Sequence, residues 1–315
     1  MRLPLFCYLA LLTASLPSAR ATSVITQPFA GVRYTQRTQT VPRPLNLHIV
    51  EIDLTHPAIR CLISPGNGTA RGENNFQTVR AFTTASGAQL AVNASFFLTS
   101  AAGANLDNRG IVASRGDVYS PFDGDNRPWP VLNISEDNFA RILSQAVQPS
   151  TNTATTPDIP LYNTVSGSER VVTNGRNTAG TVSFGEPTTL QPRTAAGITA
   201  DRRLVLLVAD GRNTGVSEGL LGSETANLLI QYGVVDAINL DGGGSSTLVV
   251  ANPTPRVMNR PSDGSERSVG AILAIFAATA PAPRDVAIFA DFFAGDREGF
   301  SSSLGAESTG SQGVH

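Results

Sequence analysis

VVDAINLDGGGSSTLVVA, residues 234–251, joins two apolar runs through three glycines and a row of hydroxyls. Val234 to Leu240 reads as one strand and Thr247 to Ala251 as another. Side chains alternate along a strand, so Asn239 and Asp241 share one face while Ile238 and Leu240 share the other. A carboxamide and a carboxylate therefore arrive together at a strand end. Glycine has no Cβ to obstruct close approach, so the backbone of Gly242, Gly243 and Gly244 and the hydroxyls of Ser245 and Ser246 can come near a ligand. One glycine is enough for a turn. Three in a row, directly after an acid, describe a polar-ligand site.

Outward from this block the chain reads as strands and a few helices. Arg203 to Ala209 is a continuous apolar run that ends in Asp210-Gly211, as a central strand would. Leu45 to Leu54 alternates as an amphipathic strand, and Ala58 to Ile63 follows the break at Pro57 as its partner. Gln89 to Phe97 is a buried strand carrying Asn93. Phe76 to Thr84 has helical spacing, with Asn74 or Asn75 as cap and Gly87 as its end, and Ser223 can cap a helix that stops at Gly233. Val269 to Ala277 is a last core strand. Residues 98–128 and 144–158 are polar, loop-like segments. Thr279 to Pro283 reads as a linker, and the tail beyond it holds one strand-like run, Val286 to Phe293.

Bulk properties narrow the function. With 23 basic and 25 acidic residues among 315, the chain offers no polyanion-binding surface and no case for a nucleic-acid partner. Arg2, the short apolar run Leu3 to Leu16 and Ala19-Arg20-Ala21 form a secretory leader, cleavable after Ala21. The mature protein is expected outside the cytoplasm or in the periplasm, with no stable membrane span. Cys7 lies in that leader, which leaves Cys61 alone and excludes an intrachain disulfide or a zinc–thiolate site. No cluster has metal-ligand spacing and no cofactor is called for. Calcium stays open, because Asp123, Asp125 and Asn126 offer hard oxygens without an EF-hand pattern. The three histidines and Ser245 or Ser246 make no nucleophile elbow.

Three strands end in Asn93, Asp210 and Asp241, each at a Gly- or Ser-containing turn. If their C-terminal ends lie together, these side chains converge where such sheets hold ligands. Arg193, Arg212 and Arg267 flank the same segments, and a guanidinium fork suits phosphate oxygens.

The ordered blocks Val92-Asn93-Ala94-Ser95-Phe96-Phe97, Pro192-Arg193-Thr194-Ala195-Ala196-Gly197, Ala209-Asp210-Gly211-Arg212, Asn239 to Thr247 and Glu266-Arg267-Ser268-Val269 resemble the phosphodiester glycosidase family. Ala94-Ser95 stands where that family more often has glycine and then an acidic or polar residue. The resemblance implies hydrolysis of a sugar-1-phosphodiester at its glycosidic bond, with a glycan or sugar-phosphodiester as partner. Asp241, Asp210 and Arg193 are then the expected catalytic residues. Asn93, Asn239, Gly242, Gly243, Gly244, Ser245, Ser246, Arg212 and Arg267 are expected to bind substrate, the glycine-loop amides and arginines taking the phosphate charge. A non-catalytic module binding phosphodiester glycans is the alternative. Pattern and resemblance together predict an α+β (mixed α/β) fold, a central mixed β-sheet with packed helices. The expected division is a leader at 1–21, one main domain at 22–278, and a linker with a short tail at 279–315, either a truncated accessory domain or a strand docked on the main one.

Overall fold

In the computed structural model, which describes residues 20–99, 106–121, 129–144, 147–148, 153–154, 159–180, 187–280 and 287–292, the apolar run Arg203–Ala209 is the fifth of nine strands in one sheet. Arg193–Thr199, Val234–Asn239, Glu169–Thr173 and Arg176–Asn177 lie outward on one side. Leu45–Asp53, Val32–Gln39, Arg20–Phe29 and Ala287–Phe292 lie on the other. A second sheet runs Pro255–Val257, Leu248–Ala251, Leu90–Asn93, Ile272–Phe276, Arg60–Ile63, and a third of five strands is built around Val131–Ile134 and Asn163–Ser166. Every pairing in these sheets is antiparallel.

The expected α+β fold, with a central mixed sheet and packed helices, is corrected by this architecture. The protein is mostly β-sheet, with two short α-helices among the described residues, Val79–Ser86 and Gly222–Gln231. The second helix does link two strands that point the same way, Arg203–Ala209 and Val234–Asn239, the connection a parallel pair needs. Arg193–Thr199 is inserted between those two strands and pairs antiparallel with both.

The sheets are layered by their alternating faces. Val50, Ile52, Leu204, Leu206, Val208 and Ile238 of the large sheet meet Leu90, Val92, Leu248 and Leu273 of the second sheet, and Leu132 and Val165 of the third, in one shared core. The opposite face of the large sheet, with Leu47, Ala195, Val205 and Leu207, is covered by Ala226 and Leu229 of the helix Gly222–Gln231. The outer face of the second sheet is covered by Val79 and Phe82 of the other helix. That helix starts at Thr78, whose Oγ1 accepts the Ala81 amide at 3.1 Å, and stops at Gly87 with φ +73°. Asn74 does not cap it. Its Nδ2 donates instead to Gly270 O and Ser64 Oγ.

Residues 1–19 of the expected leader lie outside the described residues, as do Asp123, Asp125 and Asn126. Ala21 is buried and already paired with Gln39. Ala287–Phe292 in the tail pairs with Arg20–Phe29 at the edge of the large sheet. No helix among the described residues is long and apolar enough to cross a membrane.

Candidate active site

Because Arg203–Ala209 and Val234–Asn239 are both antiparallel to Arg193–Thr199, Asp210 and Asp241 leave the sheet at the same edge, on either side of Pro192-Arg193. Two strand spacings separate their backbones, about 10 Å. Both acids are followed by glycine for the same steric reason. A Cβ on Gly211 would sit 2.5 Å from Pro192 N, and one on Gly242 would sit 2.8 Å from Pro192 O.

Asn93 arrives from the second sheet and locks this junction. Its Nδ2 donates to Asp241 O at 2.6 Å, while its Oδ1 accepts from Thr194 Oγ1 at 2.8 Å and Thr247 N at 3.0 Å. The Asp241 amide in turn donates to Ala94 O at 2.9 Å. The strand ends of two sheets are thus stitched together beneath Asp241. Asn93 is fully buried and acts here as a brace.

Asp241, Gly242 and Gly243 are partly exposed, whereas Gly244 to Thr247 are buried beneath them. Burial among the turn residues pushes the Asp241 carboxyl up from 3.8 to about 7, against the opposing pull of the Ser245 hydroxyl, the Arg267 charge and the Gly242 amide. Two guanidinium groups converge on the glycines. Arg212 lies over Gly243, with Nη2 3.1 Å from where a Cβ would project. Arg267 crosses Gly244, and a Cβ there would fall onto its Nη2 and onto the Asp263 carboxylate. Asp263 Oδ2 accepts from Arg267 Nε at 2.9 Å and Nη2 at 2.6 Å, which sets the orientation of the fork. The amides of Gly243, Ser245 and Ser246 donate to carbonyls of Pro192, Gly242 and Gly243. These three amides are therefore engaged within the protein, whereas the two guanidinium groups lie over the glycines.

The remaining expected residues have distinct placements. Arg193 is 2% exposed, and its Nε and Nη2 hold the carbonyls of Leu220 and Thr189. It ties the loop before the helix Gly222–Gln231 to the sheet edge. Asn239 donates to Ser168 Oγ and keeps a buried Oδ1 with no partner among the described residues. The hydroxyls of Ser246 and Thr247 are likewise buried without a hydrogen-bond partner among the described residues, while that of Ser245 is turned to the Asp241 carboxyl. Asp210 is 4% exposed. Its Oδ1 accepts from Arg260 N at 2.7 Å and Asn259 Nδ2 at 3.3 Å, and its Oδ2 from Asn46 Nδ2 at 3.3 Å. Burial raises its pKa, while these donors and the Arg260 charge oppose that rise.

Sequence reasoning missed several partners. His48 lies 4.0 Å from Asp210 Oδ2, and its Nδ1 shares a 2.7 Å hydrogen bond with Tyr34 Oη. Burial holds that imidazole down near 4, which keeps it neutral. Asp263 and Arg260 were also unmarked. Only the four-residue spacing of Asp263 and Arg267 could have hinted at their pairing.

Fold and turn together define a β-sheet-borne site with one near-neutral carboxyl and two guanidinium groups. The chain belongs to the phosphodiester glycosidase family, whose pattern matches residues 86–276. The mouse N-acetylglucosamine-1-phosphodiester alpha-N-acetylglucosaminidase is 28% identical over 207 residues, 60% of this chain and 37% of that protein. The SPbeta prophage-derived uncharacterized protein YomE of Bacillus subtilis (strain 168) is 38% identical over 78 residues, 25% of this chain and 12% of its own length. This chain therefore spans well under half of either relative. The zebrafish catalytic domain of N-acetylglucosamine-1-phosphodiester alpha-N-acetylglucosaminidase, auto-inhibited by its pro-peptide, shares the fold. Its TM-score is 0.55 at 18% identity, over 82% of this chain and 88% of that one.

Proposed function

We propose that the protein is a secreted hydrolase that cleaves the glycosidic bond of sugar-1-phosphodiesters, releasing free sugar and a phosphomonoester. The observation that carries this reading is Asp241, a partly exposed residue whose carboxyl burial raises to a pKa of about 7, beside the guanidinium groups that meet on Gly243 and Gly244. A base poised near neutral pH suits the activation of water. Asp241 takes a proton from water as the water oxygen bonds to the anomeric carbon. The bond from that carbon to the phosphate oxygen breaks, and its electron pair leaves with the phosphate. Phosphate is a weakly basic leaving group and needs charge stabilisation more than protonation, which Arg267 and Arg212 supply. This single displacement inverts the anomeric centre. Asn93 and Arg193 position the turn and its loop.

The name of the mouse relative makes N-acetylglucosamine the first sugar to try. Hydrolysis of a panel of sugar-1-phosphodiesters in oxygen-18 water is expected to place the label in the sugar. Label in the phosphate would sink the glycosidic assignment. An unchanged affinity in Asp241→Asn, with no turnover by the wild-type protein on any substrate, would make the site a binding module instead. Location outside the cytoplasm rests on the leader at residues 1–21 and is tested by sequencing the mature N-terminus.

A further inference from the structure

We propose that the cavity beside the triple-glycine turn is a second anion subsite, taking a further phosphate-type group carried on the leaving-group side of the substrate. The cavity has a volume of about 240 Å³ and is lined in part by Asp210, Arg212, Ser217, Arg260, Ser262 and Gly264. Water occupies about 30 Å³ per molecule in the liquid, so a phosphoryl group fits with several waters. Arg212 and Arg260 are both exposed, and neither makes a salt bridge among the described residues. Arg212 donates its Nε to Gln191 Oε1 at 2.7 Å, which leaves the Nη edge for a ligand. Ser262 Oγ is buried and has no hydrogen-bond partner among the described residues, so a donor or acceptor there is unused.

The one acid lining the cavity does not oppose an anion strongly. Asp210 is 4% exposed and has both oxygens engaged, Oδ1 by Arg260 N and Asn259 Nδ2 and Oδ2 by Asn46 Nδ2, so its charge is turned to these donors. The cavity is continuous with the turn through shared walls. Arg212 spans from it to Gly243, and Asp263, adjacent to Ser262, lies against Gly244. A single molecule can thus put one phosphate against Arg212 and Arg267 and a second against Arg260. The preferred substrates would be sugar-1-phosphodiesters whose aglycone bears another phosphate, as in a pyrophosphate or a phosphodiester polymer. The assignment to the leaving-group side rests on the proposed hydrolytic reading. The pair of anion positions does not.

The test is isothermal titration of the full chain with inorganic phosphate and with inorganic pyrophosphate. The wild-type protein is expected to bind pyrophosphate about tenfold more tightly, the scale of one added charge-assisted hydrogen bond. Arg260→Gln and, independently, Ser262→Ala are expected to reduce that preference, with an unchanged circular dichroism spectrum. Equal affinity for the two anions in the wild type, or the same preference in wild type and Arg260→Gln, overturns the subsite. Turnover separates the two readings. A protein that hydrolyses sugar phosphodiesters but shows no pyrophosphate preference refutes the subsite alone. One that keeps the preference and hydrolyses nothing refutes the hydrolase alone.

Discussion

Replacing Asp241 by asparagine should destroy activity and, above neutral pH, stabilise the fold. In the folded protein the Asp241 carboxyl titrates at about 7, whereas its ordinary value is 3.8. Between those values the folded state keeps a proton that the unfolded chain has released. The Asp241 contribution to stability therefore falls as pH rises from about 4 to about 7, and is flat above that. Two pH units separate pH 5 from the folded pKa, each worth about 1.4 kcal/mol, so the ceiling on the loss is about 3 kcal/mol. The residue is partly exposed at the turn surface, and solvent reached there on ionisation brings the expected loss to about 1–2 kcal/mol. Asparagine does not titrate and keeps the size of the side chain. Urea unfolding of both proteins at pH 5, 6, 7 and 8 reads the effect as the difference between variant and wild type. Any contribution from His48, present in both, cancels. The difference should move in favour of the variant by about 1–2 kcal/mol between pH 5 and pH 8. Parallel stability curves would show that Asp241 is not held in a desolvated position, and the argument for its role as a base would fall with it.

Three further outcomes test the surrounding structure. Asn93→Ala removes one side chain that satisfies Asp241 O, Thr194 Oγ1 and Thr247 N, so a loss of about 2–4 kcal/mol in chemical unfolding is expected. Gly244→Ala should leave the far-ultraviolet spectrum unchanged yet lower kcat/KM by about a hundredfold or more, because its Cβ displaces the Arg267–Asp263 pair; wild-type kinetics would remove Arg267 from the site. His48 is held neutral, with a pKa of about 4 against an ordinary 6.5, so the unfolded chain takes up its proton first in that window and the His48 contribution to stability falls as pH drops through it. His48→Gln should flatten that acid limb by up to about 3 kcal/mol, read by unfolding at pH 4.5 and 6.5.

Much of the site's chain geometry was legible because it is local. Asn239 and Asp241 are two residues apart, and the glycines that let Arg212 and Arg267 approach are consecutive. Asp210-Gly211, by contrast, looked like an ordinary turn dipeptide, and only Pro192 packed against it explains the glycine. Arg193 was expected in the site because it starts a strand beside the acids. It is turned instead to the carbonyls of Leu220 and Thr189, a choice made by a loop 27 residues away. Asp263 carries only its four-residue spacing to Arg267, and His48 carries no local signal, since it matters through Tyr34 and Asp210, partners brought to it by folding.

From its own pattern the sequence determined where apolar runs form strands, where two short helices lie, and which turn must admit close backbone contact, whereas the helices begin at Thr78 and Leu221 rather than at the expected Asn74 or Asn75 and Ser223. Those features depend on side-chain period and on the absence of a Cβ, both readable within a few residues. The antiparallel pairing of all three sheets was decided only in three dimensions, when Arg193–Thr199 entered between two strands that point the same way. The same holds for the Asp241 pKa and for the cavity beside Arg212. Each arises from burial and charge contributed by segments distant in the chain, and no short stretch of sequence contains that information.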